Sequence, residues 1–130
     1  MKVFYVTPTG RQPPLLEFLN TLEPKLQRKL FSQFLLLSKP PLPCEPHVKH
    51  FSIEKYNHLY ELRTKSKIMI RIIFTIQNDK SILLLTPFIK KHKRNTMQAL
   101  DSSLKLLAQV NDGTCAAKEL RINSNWEVVE

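Results

Sequence analysis

Glycine is almost missing: Gly10 and Gly113 are the only two in 130 residues. No GxxxxGK phosphate loop can therefore be built, because that loop needs glycines to bring backbone N–H groups against phosphates. Cysteine is equally scarce. Cys44 and Cys115 lie far apart in sequence and form no CxxC pair, which points to two reduced, unpaired thiols. No apolar run approaches the ~18–20 residues needed to span a bilayer, so no membrane association is expected. The N-terminal stretch MKVFYVTPTG carries no signal-peptide core, and a cytoplasmic protein is expected. His47 and His50 have loosely metal-like spacing, but no carboxylate or thiol set completes them. Neither a metal nor a cofactor is expected. No Ser-His-Asp or paired-carboxylate constellation stands out.

Acid is also in short supply, with 11 Asp/Glu against 20 Lys/Arg and a net charge of +9. The excess is unevenly spread. Residues 1–46 carry six basic and three acidic side chains, residues 47–110 twelve and four, and residues 111–130 two and four. The middle segment is thus a basic block of +8. Such a block suits a polyanion, most simply nucleic acid, or an acidic protein partner. The plain alternative is a solvated basic face. The apolar fraction of 42% and the length fit a single domain with a real core.

The pattern along the chain is mixed. Val3 to Thr7 reads as a strand turned by Pro8-Thr9-Gly10. Pro14 opens a helix to about Thr21, since proline is tolerated in a first helical turn. Leu26, Leu30, Phe34 and Leu37 repeat with helical period and predict a second helix from Pro24 to about Ser38. The prolines between Lys39 and Pro46 end it. Phe51 to Ile53 is a candidate extended piece. Leu59 to Thr64 and Ile68 to Gln77 read as strands, and Asn78-Asp79 turns the second into a returning strand from Ser81 to Ile89. Met97, Leu100, Leu104 and Leu107 mark a further amphipathic helix that stops near Asn111-Asp112-Gly113. This order predicts an α+β domain with a mostly antiparallel sheet and the first two helices on one face. Residues 111–130 read as an extension, polar up to Trp126-Glu127-Val128-Val129.

Side chains alternate across a strand. Ile68, Ile70, Ile72, Phe74 and Ile76 form one apolar face, expected against the helices. Met69, Arg71, Ile73, Thr75 and Gln77 form the other. A two-residue turn sets Gln77 opposite Lys80 and Arg71 opposite Thr86. Thr86, Phe88 and Lys90 then share the face of Arg71, while Leu83, Leu85 and Ile89 go to the core. Glu61 and Arg63 share a face on the preceding strand. The expected result is Arg63, Arg71 and Lys90 together on one open sheet face. An arginine inside an isoleucine strand is costly in a dry core. It is either an edge charge or the floor of an anion site.

The segments LYELR at 59–63, RIIF at 71–74 and LLLTPFIKKHKR at 83–94 resemble the RelE/ParE superfamily of toxins, in particular its phage-derived HigB-like branch. The resemblance covers about residues 1–110. It implies a RelE-like fold: an antiparallel sheet with an N-terminal helical hairpin on one face and a C-terminal helix. The chain departs from the pattern at Thr86-Pro87, at Asn95-Thr96 and in the tail.

The resemblance implies the toxin of a type II toxin–antitoxin system, an endoribonuclease that cleaves mRNA without a metal, on the ribosome or off it. Attack by the RNA 2′-hydroxyl needs a base, charge stabilisation at the phosphorane and an acid for the leaving oxygen. Guanidinium groups suit the middle task, which falls to Arg63 and Arg71. Lys90, Lys91 and His92 are the acid–base candidates. Lys65, Lys67, Lys93 and Arg94 are the expected RNA-binding cations. The expected partners are mRNA and a cognate antitoxin, a helix-turn-helix protein encoded beside it. The alternatives are that Arg71 is an edge charge paired with Glu61, that the Lys90–Arg94 run is only solvated, and that the chain is a ParE-like gyrase inhibitor or a phage-derived binding relic.

Overall fold

A computed structural model describes residues 2–130. Among these residues, six strands and three α-helices form an α+β unit. In chain order they are β1 (Val3–Pro8), α1 (Pro14–Asn20), α2 (Pro24–Leu37), β2 (Val48–His50), β3 (Leu59–Lys65), β4 (Met69–Ile76), β5 (Ile82–Ile89), α3 (Lys93–Asn111) and β6 (Cys115–Glu119). A single 3₁₀ turn, Glu54–Tyr56, sits between β2 and β3. The sheet order is β2-β3-β4-β5-β1-β6, antiparallel except where β1 runs parallel to β5.

Proline starts both early helices, because its missing N–H falls where a helix has no acceptor to offer. The two are locked together by Gln27, whose side-chain amide donates to the Leu19 carbonyl at 2.6 Å and the Leu22 carbonyl at 3.2 Å. Those carbonyls belong to the end of α1 and the turn, where helical partners run out. The period of α2 buries Leu26, Leu30, Phe31, Phe34 and Leu37 against Ile70, Ile72 and Phe74 of β4 and Ile82 and Leu84 of β5. Each fully buried leucine is worth about 1.5–3 kcal/mol, which is what holds this hairpin down.

The opposite face is not open. Helix α3 packs on it and makes a second core of Ala99, Leu100 and Leu106 with Ile73, Leu83, Leu85 and Val6. Ser103 is fully buried in that layer, and its hydroxyl donates to Thr86 Oγ1 at 2.7 Å. Phe51 and Tyr56 extend the same layer over β3. Tyr56 donates to Asp101 of α3 at 2.5 Å, and Lys55 lies 3.3 Å from the same carboxylate.

The expected strand register is corrected at two places. The turn after β4 spans three residues, not two: Gln77 and Ser81 close it with an N–H···O bond of 2.8 Å, and Lys80 takes a left-handed φ of 72°. A bulge between Ile73 and Phe74 then absorbs Leu85. Arg71 consequently lies opposite Phe88, with Ile73 opposite Thr86. Leu83 and Leu85 belong to the α3 core rather than to the helical-hairpin core. Ile89 stands opposite Ile70, as its expected face requires.

The tail is part of the sheet. β6 pairs antiparallel with β1 from Phe4↔Glu119 to Pro8↔Cys115. Leu120, Ile122 and Val128 then pack against the hairpin core, with Ile122 bridged to Val128. The extended piece expected at 51–53 lies instead at Val48–His50, paired with β3. Both cysteines are free, Cys44 exposed and Cys115 buried.

Candidate functional site

The alternation of LYELR is realised in β3. Tyr60 and Leu62 turn to the hairpin core, and Glu61 and Arg63 take the other face. Register sets Arg63 directly opposite Arg71 and Glu61 opposite Ile73. Two cations directly opposite each other on neighbouring strands repel. Glu61 relieves this: its Oε1 accepts from Arg63 Nε at 2.9 Å and lies 3.8 Å from Arg71 Nε.

Two of the three groups are buried, and Arg63 is partly exposed. Glu61 is 1% exposed and Arg71 8%. β4 is a central strand, so Arg71 is not an edge charge. Burial pushes the Arg71 guanidinium below its ordinary pKa; the Glu61 charge opposes the shift and the Arg63 charge adds to it. Arg71 Nη1 donates to the Ile70 carbonyl at 3.1 Å. Arg71 Nε and Glu61 Oε2 have no hydrogen-bond partner. One carboxylate thus serves two guanidinium groups, leaving a net charge of about +1 and an unused buried donor. The net positive charge and the guanidinium groups suit an anion.

Arg63 and Arg71 line a cleft of about 510 Å³, together with Lys65, Lys29, Gln33 and His47. The last three come from α2 and from the segment before β2. Gln33 is fixed at the exposed end of β3: its side chain accepts from Thr64 Oγ1 and donates to the Arg63 carbonyl at 3.4 Å. Lys29 Nζ donates to the Lys65 carbonyl at 2.7 Å. A helical period places polar residues on the rim of α2, but no sequence signal pairs that rim with one end of β3. These residues were therefore invisible to sequence reasoning.

Lys90 closes β5. Its N–H donates to the Met69 carbonyl at 2.8 Å, which sets it on the face of Met69 and Arg71. Lys91 and His92 form the exposed link into α3, and both backbone N–H groups donate to Asn95 Oδ1, at 2.9 and 2.7 Å. Asn95 therefore ties down the start of this helix, at a position where the sequence departs from the HigB-like pattern. Lys93 and Arg94 occupy the first turn of α3. Cations there oppose the helix dipole and are not placed for helix stability. Lys65 ends β3 opposite Met69, and Lys67 lies in the turn that follows. All nine expected site residues thus gather at one end of the sheet. Among the described residues, no hydrogen bond or ion pair joins Lys90–Arg94 to Arg63, Arg71 or Glu61.

The sequence match places the chain in a toxin-like family of the RelE/HigB-related group. Within that group the chain is a member of the family described as Phage derived protein Gp49-like (DUF891), which matches residues 17–108. The match runs from α1 into α3 and contains every site residue named above; β1 and β6 lie outside it. No curated protein matches the sequence. Among the described residues, no helix is long and apolar enough to cross a membrane.

Proposed function

We propose that this chain is a HigB-like toxin of a type II toxin–antitoxin pair, and that it cleaves mRNA by metal-independent attack of the 2′-hydroxyl. The observation that carries the proposal is the Arg63–Glu61–Arg71 group, one buried and one part-exposed guanidinium sharing a buried carboxylate, at the end of the sheet where the basic residues gather. Its role is to hold the scissile phosphate and to stabilise the charge that builds on the phosphorane. Preorganised guanidinium groups do this well because they stay charged and need not reorganise.

Proton transfer falls to the run at the β5–α3 junction. Lys90 has its side chain on the arginine face, whereas Lys91 and His92 are exposed and reach a bound RNA from the side. General acid–base help contributes about 10²–10⁴-fold. The neutralising partner is an antitoxin with a helix-turn-helix domain, drawn to the basic end by complementary charge.

Induced expression of the chain tests the reading. Growth arrest with new 5′ ends across cellular mRNA, relieved by co-expression of the neighbouring gene product, is the expected result. Normal growth at confirmed soluble expression rejects the toxin. Arrest with intact mRNA and inhibited gyrase identifies a ParE-like activity instead.

A further inference from the structure

We infer that a second cleft, between the start of α2 and the β3–β4 turn, carries the phosphodiester backbone of single-stranded RNA onward from the arginine pair. The inference rests on the reading of the chain as an RNA-cleaving toxin and adds the path of the strand. This cleft has a volume of about 520 Å³ and presents Lys25, Lys29 and Lys67, with Glu23 its only acid. Lys29 lines the arginine cleft as well, so the two clefts are neighbours on either side of its side chain. From Arg71 the surface passes through Arg63 and Lys65 to Lys29, Lys67 and Lys25. Two strands, a turn and a helix contribute these cations, which sequence alone keeps up to 46 positions apart.

The lysines are available. Lys25 and Lys67 are exposed and, among the described residues, form no ion pair. Lys29 is held by the Lys65 carbonyl and so marks the junction of the two clefts. Ile68, 36% exposed, lines the same cleft and offers an apolar rest for a base or ribose. A polymer with a charge on every unit, already bound by one phosphate at the arginines, can extend past Lys29 to meet Lys67 and Lys25.

The test is fluorescence anisotropy of the full chain with a labelled 2′-O-methyl RNA oligonucleotide, which binds but cannot be cleaved. The variant K25E/K67E is used because it leaves the Lys29–Lys65 bond in place, and thermal melting checks its fold. Its affinity is expected to fall at least about ten-fold at low salt, and its salt slope to shrink by about 1.4, or about 0.7 for each lysine. Wild-type affinity and slope in a folded K25E/K67E overturn the inference and leave the arginine site intact. Loss of antitoxin binding with RNA affinity unchanged also overturns it, and makes the cleft a protein-docking surface. A wild-type chain that binds no RNA overturns the toxin reading and the inference together.

Discussion

Arg71 and Glu61 are partners without a full hydrogen bond: Nε and Oε1 are 3.8 Å apart, and the Arg71 Nε donor is left unpaired. Arg63 takes the short contact at 2.9 Å. The carboxylate is therefore shared unequally. Arg63, the more exposed arginine, is the better anchored, while the more buried Arg71 has the longer contact.

Arg71→Lys keeps the charge but replaces a planar fork by a single ammonium. The protein is expected to stay folded, with its RNA cleavage falling by about 10²–10³-fold, the usual loss for one preorganised donor. Primer extension on a target mRNA, beside a melting curve, measures both. Undiminished cleavage by the lysine variant removes Arg71 from the site.

Glu61→Gln removes the only negative charge between two facing arginines. Deleting one member of a buried ionic group typically costs about 3–5 kcal/mol, and the part-exposed Arg63 brings the expectation toward about 2–4 kcal/mol. Denaturant titration reports it. The double variant Glu61→Gln/Arg63→Gln should recover part of the loss, because the remaining guanidinium no longer faces a like charge. An unaltered single variant would show that solvent already screens the pair.

Asp101 should contribute to acid sensitivity, as should Asp79 and Asp112, whose carboxyls are also held below their ordinary values by hydrogen bonds. The Tyr56 hydroxyl bond, followed by the contacts from Lys55, holds the Asp101 carboxyl below the ordinary value of 3.8, while burial opposes them. A depressed carboxyl contributes stability above its unfolded pKa, and the contribution is lost as pH falls through the lower folded value. Tyr56→Phe should therefore be less stable than wild type at pH 7, and the gap should narrow as pH falls below about 3.8. Denaturation midpoints at neutral and acid pH give the comparison. A gap independent of pH would assign the loss to packing of the ring.

Truncation after Gly113 removes β6, which pairs with β1 through five residues, and uncovers the core contacts of Leu120, Ile122 and Val128. The shortened chain is expected to aggregate or to melt well below the full chain, since β1 becomes an exposed edge. Unchanged melting and solubility would return the tail to the status of an appendage. This expectation reverses the one drawn from charge and resemblance, under which the tail is an extension. Its alternation was too short, and its Ala116 and Ala117 too small, to read as a strand.

Antitoxin association should slow as salt rises, because the basic end supplies the steering. Stopped-flow rates across ionic strength measure this. Rates insensitive to salt would move the docking surface away from residues 63–94.

The local elements were legible from the order of residues. Helical period in α2, strand alternation in β3 and β4, and proline or glycine punctuation are properties of neighbouring residues. Arg63 and Glu61 could be assigned to the face of Arg71 because β3 and β4 are regular where they meet. Along β5 the faces of Thr86, Phe88, Ile89 and Lys90 were legible, but those of Leu83 and Leu85 were not. One extra residue in the turn at Lys80 and one bulge at Leu85 each shift the pairing by a single position, and strand parity has a period of only two. The side chosen by α3 was equally out of reach, since an amphipathic helix records that it is buried but not against what. Only the tertiary structure decided that α3 covers the face beside Arg71, that Glu61 is sealed beneath two arginines, and that Lys25, Lys29 and Gln33 meet the end of β3. Those relations join residues far apart in the chain, and they are set by how whole faces fit together rather than by any local pattern.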